Sequence, residues 1–226
     1  MLRYLIIDTS NEYGVIGYFE EKKKIFGLEL EINKSYSEII TPVLDIMKKV
    51  SIIDMQRLNF IGVNIGPGSF TGTRIGIATV KGLTFENRIP VIPITSFQAL
   101  KEKGKGFKGT IIPFIDARKK QVFSEIRFKN KYILYPGSYF PEKVIKLAPE
   151  NSFFIGNGIK YYKNLLEESG KIFYKSEDMF LLDELAFIAY NRFIKGKFVM
   201  ADKIKPIYLR KSEAEINILK VRKKGE

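Results

Sequence analysis

"RYLIIDTSNEYGVIGYFEEKKKIFGLELEI", residues 3–32, holds three short apolar runs parted by two breaks. "RYLIID", "VIGYFE" and "IFGLELEI" each predict a strand, and "SNEYG" and "EKKK" predict the turns between them. Linkers this short join antiparallel neighbours, so the three strands form a meander. Working outward, Ser35, Tyr36, Ser37 and Glu38 offer a capping box. Behind it Ile39, Ile40, Val43, Leu44, Met47 and Val50 recur at helical spacing, predicting a helix over 36–50 that tolerates Pro42 in its early turns. A buried strand over 58–66, a helix over 71–85, a strand over 89–96 whose prolines suggest a sheet edge, and a short helix ending at Gly104 complete the first half.

The second half repeats the order more loosely. Strands are predicted at 109–117, 121–128 and 131–140, then a weak helix "EKVIKLA", a strand at 152–158, a helix "YYKNLLEES", a strand "KIFYK" and the clearest helix of the chain, 181–196. A three-stranded meander followed by αβαβα is the order of a ribonuclease-H-like unit, and two in tandem resemble the ASKHA superfamily of sugar kinases, actins and Hsp70 ATPase domains. The expected fold is therefore α/β, two tandem lobes of βββαβαβα with mixed sheets, spanning 1–104 and 105–226. Both halves open with an apolar strand ending in aspartate, Asp8 in "LIIDTS" and Asp116 in "PFIDAR". ASKHA proteins keep their phosphate-loop aspartates there.

Composition excludes several chemistries. At 226 residues, 45% of them hydrophobic, the chain can bury two small cores. It has no cysteine and no histidine, which removes disulfides, thiolate and imidazole metal ligands, cysteine nucleophiles and any Ser-His-Asp triad. No apolar run approaches the roughly 20 residues of a membrane span, and the first residues do not read as a signal peptide, so a cytoplasmic location with no membrane partner is expected. Lys and Arg exceed Asp and Glu by 38 − 25 = 13, a surplus that suits either a merely soluble surface or a polyanionic partner.

The glycine-rich stretch "NIGPGSFTGTRIG", 64–76, fails three tests for familiar chemistry. Thr73 and Arg74 stand where a P-loop needs Lys and Ser/Thr, Gly66, Gly68 and Gly72 miss the dinucleotide spacing by one residue, and Ser69 has no histidine to activate it. What remains is a tight strand-to-helix turn with Ser69 or Thr71 as N-cap, with the anion-binding potential of any helix N-terminus left open. The helix then carries Gly72, Gly76, Ala78, Thr79 and Gly82. Helical glycine costs up to ~1 kcal/mol against alanine, so something must pack closely on it, either a neighbour such as the 36–50 helix or a helix pair of another protein.

"GPGSFTGTRIGIATVKGL" (66–83) resembles the signature of the bacterial TsaB (YeaZ) family, which serves the threonylcarbamoyl modification of adenosine in tRNA. "SYSEIITPVL", "IPVIPITSFQAL", "IDARKKQVF", "IGNG" and "KPIYLRKSEAE" extend the likeness over nearly the whole chain. The family is a paralogue of the catalytic subunit TsaD, which holds a metal through histidines that this chain does not have. Relative to active ASKHA kinases, Thr9-Ser10 and Ala117-Arg118 replace the glycines that let backbone approach phosphate. Asp8, Asp116, Gly156 and Gly158 therefore mark a degenerate nucleotide site with no resident cofactor expected, weak nucleotide binding remaining open. Where the family commonly has His-Ser-Glu, this chain has Tyr36-Ser37-Glu38.

The resemblance implies a non-catalytic subunit that binds TsaD through its first lobe, works with the TsaE ATPase, and meets tRNA through the complex. Its contact surface would lie on the first two helices, here Ile39, Val43 and Met47 on one and Ile75, Gly76, Thr79 and Lys81 on the other. The same faces could pair two copies as a homodimer. The alternatives are an autonomous ASKHA-type ATPase or small-molecule kinase using Asp8 and Asp116, and a free-standing nucleic-acid binder resting on the positive charge; peptidase activity is disfavoured by the missing metal ligands.

Overall fold

The computed structural model describes residues 1–31, 36–170 and 179–210. The opening stretch forms the expected meander, β1 (Arg3–Asp8), β2 (Tyr13–Glu20) and β3 (Lys23–Glu31). Helix α1 (Ser37–Lys49), strand β4 (Phe60–Asn64), helix α2 (Phe70–Thr84), strand β5 (Val91–Ile94) and helix α3 (Ser96–Lys103) follow. The first sheet runs β3-β2-β1-β4-β5, so β5 with Pro93 is indeed an edge. It is mixed: β1 is antiparallel to β2 and parallel to β4, with Ile7 opposite Ile16 and Val63.

The second half builds β6 (Thr110–Asp116), β7 (Val122–Phe128), β8 (Lys131–Tyr139), α4 (Pro141–Leu147), β9 (Ser152–Ile155), α5 (Gly158–Glu168) and α6 (Leu182–Phe193). Its sheet runs β8-β7-β6-β9, again mixed around a central strand ending in aspartate. The strand expected in "KIFYK" and the residue Ser35 of the expected capping box lie outside the described residues. The N-cap of α1 is Tyr36, whose side chain makes no cap hydrogen bond.

β1 is buried on both faces, and its alternation sorts two layers. Leu5 and Ile7 join Ile40, Leu44 and Met47 of α1 and Ile77 and Val80 of α2 in one apolar core. Tyr4 and Ile6 point the other way, into a core shared with Leu182, Leu185 and Ala189 of α6. Tyr4 stacks on Phe60 with centroids 4.4 Å apart, and Phe60 stacks on Phe193 at the same separation. The register shows how α6 reaches so close: Gly27, Gly17, Ile6 and Gly62 stand in one row across the sheet. A Cβ on Gly62 would come within 3.0 Å of Ala189 Cβ, and one on Gly17 within 2.5 Å of Leu182 Cδ1. The row is a trough, and α6 lies in it. A third core of Ile112, Phe114, Ile126, Phe154 and Ile159 binds the second sheet to α4 and α5.

Candidate phosphate cleft and docking face

β1 delivers Asp8 into complete burial. The Ser10 amide donates to its Oδ1 at 2.7 Å and Asn64 Nδ2, from the end of the adjacent parallel strand, donates to its Oδ2 at 2.7 Å. Asn64 Oδ1 in turn accepts from the Gly66 amide at 2.9 Å and the Ser96 hydroxyl at 3.1 Å. One carboxylate and one carboxamide thus knot the ends of β1 and β4, the glycine-rich turn and the start of α3. Sequence reasoning misses Asn64 as a site residue; a polar residue closing the otherwise apolar "FIGVN" is its signal.

Burial pushes the Asp8 carboxyl above the ordinary carboxylate range, against the pull of the Ser10 and Asn64 hydrogen bonds. A raised folded-state value means that the native protein holds this proton to higher pH than the unfolded chain. The associated stability is full below about pH 4 and is lost as pH rises through the native value. Wild type should therefore lose stability relative to Asp8→Asn as pH climbs from about 4 through the raised native value, read as the difference of urea midpoints. A difference that stays flat across that window would refute the assignment.

The turn after β4 closes over the first strand's end. Ser69 is the N-cap of α2, its hydroxyl accepting from the Gly72 amide at 3.1 Å. The Thr9 hydroxyl donates to the Gly72 carbonyl at 2.7 Å, and the Ser69 amide donates to the Ser10 carbonyl. Cβ atoms built on Gly68 and Gly72 would sit 2.0 Å from the Ser10 and Thr9 carbonyl oxygens, and one on Gly76 would sit 2.5 Å from Thr9 Oγ1. The close neighbour of these glycines is the β1–β2 turn and not α1, which corrects the expected packing. From the other side Ile207 bonds its amide to the Ile65 carbonyl at 2.8 Å, and Arg74 donates to the Tyr208 hydroxyl at 2.6 Å.

Tyr36 seals the remaining side. Its ring is buried and its hydroxyl donates to the Asn11 carbonyl. Between Tyr36, Asp8, Thr9 and Ile40 remains a depression of about 10 Å³, room for about one water.

Asp116 ends the corresponding strand of the second sheet, half-buried. It accepts from the Arg118 amide at 2.9 Å, and Arg118 also faces Glu12 Oε2 at 3.6 Å across the lobes. Asn157, between Gly156 and Gly158, accepts from the Asp116 amide at 3.0 Å and donates to Glu12 Oε1 at 3.3 Å. Arg210 donates to the Ala117 carbonyl at 2.5 Å. Gly156, at φ +131°, and Gly158 lie so near the Phe114 carbonyl that a Cβ would meet it at 2.7 and 2.6 Å. Their smallness serves the packing of α5 on β6. The ends of β1 and β6 are thus laced together by Glu12, Arg118, Asn157 and Arg210, of which the sequence singles out only Arg118. With Thr9 and Ser10 pressed on the glycine turn, these residues do not fit a phosphate cradle at Asp8. Nor do they fit a histidine-held ion: the chain has no histidine, and among the described residues no group of three His, Cys, Asp or Glu could hold a metal.

The two helices over the first sheet divide the expected contact residues. Met47 is a core residue at 1% exposure and Gly76 is shut against Thr9, so neither can meet another molecule. Ile39, Val43, Ile75 and Thr79 are half-buried and Lys81 is exposed. The sequence reading missed Ile46, Val50 and Phe85, exposed at 58%, 59% and 88%. Ala78 and Gly82 are also exposed, and a Cβ on Gly82 would meet nothing within 4 Å.

The family described as TsaD, tRNA N6-adenosine threonylcarbamoyltransferase, matches residues 30–218. Three curated relatives, all called tRNA threonylcarbamoyladenosine biosynthesis protein TsaB, align along nearly their full length. That of Haemophilus influenzae is 27% identical, covering 92% of this chain and 94% of its own. The Bacillus subtilis protein is 28% identical over 93% and 95%, and the Escherichia coli protein 25% over 94% and 96%. The chain belongs to the TsaB/YeaZ branch of the TsaD family. Two solved Pseudomonas aeruginosa structures share its fold. One, described as an uncharacterized protein with similarity to peptidase YeaZ, superposes with a TM-score of 0.75 at 23% identity, over 93% of this chain and all of that one. The other, YeaZ itself, gives 0.72 at 22% over 92% and 100%. Among the described residues no helix is long and apolar enough to cross a membrane.

Proposed function

We propose that this chain is a non-catalytic subunit in the biosynthesis of N6-threonylcarbamoyladenosine in tRNA. It docks a TsaD-type transferase with the exposed face of α1 and α2, and the pair works with a TsaE-type ATPase on tRNA. One observation carries the reading: the knot of Asp8, Asn64 and the glycine turn uses internally the groups that an ASKHA enzyme turns towards phosphate. What α1, α2 and the turn after α2 leave exposed are the apolar residues Ile46, Val50, Ala78 and Phe85. Burying apolar area of this kind drives association at roughly 25 cal/mol per Å² before the entropic cost of binding. The same residues would pair two copies when the partner is missing.

The test is reconstitution. Co-expressed with the TsaD and TsaE proteins of its own genome, the chain should co-elute with the transferase on size exclusion. Modification of an unmodified tRNA should then require it. ATP turnover by the chain alone, lost in Asp8→Ala, would overturn the reading in favour of an autonomous ATPase.

A further inference from the structure

The outer strand of the second lobe carries chemistry that a docking subunit does not use. β8 is the edge of its sheet, with one side of its backbone unpaired by any neighbour in the sheet. Its aromatic rings are met by cations from the elements beside it. Arg127 lies 5.6 Å from the Tyr132 ring centroid, Tyr132 stacks on Tyr135 at 4.9 Å with 26° between planes, and Lys143 lies 5.1 Å from the Tyr139 ring. Arg127 and Tyr132 are register partners on β7 and β8, and the Tyr139 hydroxyl donates to the Tyr135 carbonyl at 2.8 Å. Tyr132 and Tyr135 remain exposed, Tyr135 at 69%.

The charge around this edge is predominantly positive. Between residues 127 and 147 stand Arg127, Lys129, Lys131, Lys143 and Lys146 against a single acid, Glu142. A second copy of the same edge would be repelled by it, and a neutral apolar partner would strand its cations. A chain with a π-face and a negative charge at each step matches both features at once, because bases stack on aromatic rings while phosphates lie along Lys and Arg.

We infer that the β8 edge, centred on Tyr132 and Tyr135 and flanked by Arg127, Lys129 and Lys131, is a binding surface for a single-stranded stretch of RNA. The proposed role in tRNA modification enters only in the choice of RNA among polyanions. The inference goes beyond that role, in which tRNA is reached through the complex, by giving this chain its own RNA contact.

Fluorescence anisotropy with a labelled 12-nucleotide polyuridylate and with an unmodified tRNA tests it. Wild type should bind both, with log K falling against log salt at a slope of about −2 for three phosphate contacts, at Arg127, Lys129 and Lys131, on a single strand. Tyr132→Ala/Tyr135→Ala should weaken binding about tenfold or more. Lys129→Ala/Lys131→Ala should flatten the slope by about 1.4. Lys22→Ala/Lys23→Ala, the same charge loss on the β2–β3 turn, should change little beyond bulk charge. Ultraviolet crosslinks should map to the peptide 127–139. Should the double tyrosine variant not fold, Tyr135→Ala at its exposed position gives the same reading. Affinity unchanged in the β8 variants, crosslinks elsewhere, or binding of phosphatidylserine vesicles in preference to RNA would each overturn the inference. The β8 variants should still co-elute with the transferase. If wild type itself fails to co-elute, the docking role falls while the RNA result stands or falls on its own curve.

Discussion

Gly72→Ala is expected to remove roughly 4 kcal/mol of stability, a large share of the 5–15 kcal/mol typical of a folded domain. The new methyl would lie 2.0 Å from the Thr9 carbonyl oxygen, a backbone atom with no rotamer to move into. Ordinary overpacking costs about 1–3 kcal/mol because side chains yield. Here relief means pulling α2 off the β1–β2 turn, which breaks the Thr9–Gly72 hydrogen bond and strains the Ser10 amide's contact with buried Asp8. The glycine-rich stretch provides its own scale. Gly68→Ala faces the Ser10 carbonyl at the same 2.0 Å and should be as damaging, whereas Gly76→Ala meets only the rotatable Thr9 hydroxyl at 2.5 Å and should cost less. Gly82→Ala enters open space and should stabilise by up to ~1 kcal/mol through helix propensity alone. Urea unfolding followed by circular dichroism at 222 nm reads all four. A Gly72→Ala midpoint equal to that of Gly82→Ala would show that the turn does not press on the helix as described.

The same glycines show what the sequence could and could not convey. Their cost in a helix signalled that something packs closely, and that was legible. Which element packs there depends on how β1 and β4 align, since only the parallel register sets Thr9 above Gly72. The meander and the edge position of β5 followed from local chemistry and are found in the structure, and of the two N-cap candidates, Ser69 and Thr71, Ser69 is the cap. The seat of α6 did not. Its apolar face could serve either sheet, and Gly17, Gly27 and Gly62 become a trough only when their strands are paired. Met47 illustrates a different limit. On α1 almost every apolar residue recurs at helical spacing, so periodicity alone could not separate Ile40, Leu44 and Met47, which face the sheet, from exposed Ile46 and Val50. Asp8 was visible as a strand-ending aspartate of the ASKHA kind. Its engagement by Asn64, 56 residues later, needed the fold.

That division of α1 and α2 sets the second large expectation. Ile46→Arg combined with Ala78→Arg should lower affinity for the TsaD-type partner by roughly a thousandfold, if each substitution removes about 2 kcal/mol as a central interface residue does. Ile46 would lose its apolar contribution, and a guanidinium at Ala78 would hold apart a partner helix that the small residues Ala78 and Gly82 allow to approach closely. Both positions are exposed in the free chain, so the thermal midpoint should stay within a few degrees of wild type. Val43→Arg and Thr79→Arg also bear on the face, but both residues are half-buried and their substitution would disturb the lobe as well. Met47→Ala separates interior from surface most directly. It should cost about 2–5 kcal/mol of stability as a core truncation while leaving the affinity of the remaining folded protein nearly intact. Isothermal titration against the purified partner, with unfolding curves of each variant alongside, reads both quantities. If the double arginine variant bound like wild type while Met47→Ala abolished binding without unfolding, the contact would not lie on the outer face of these helices.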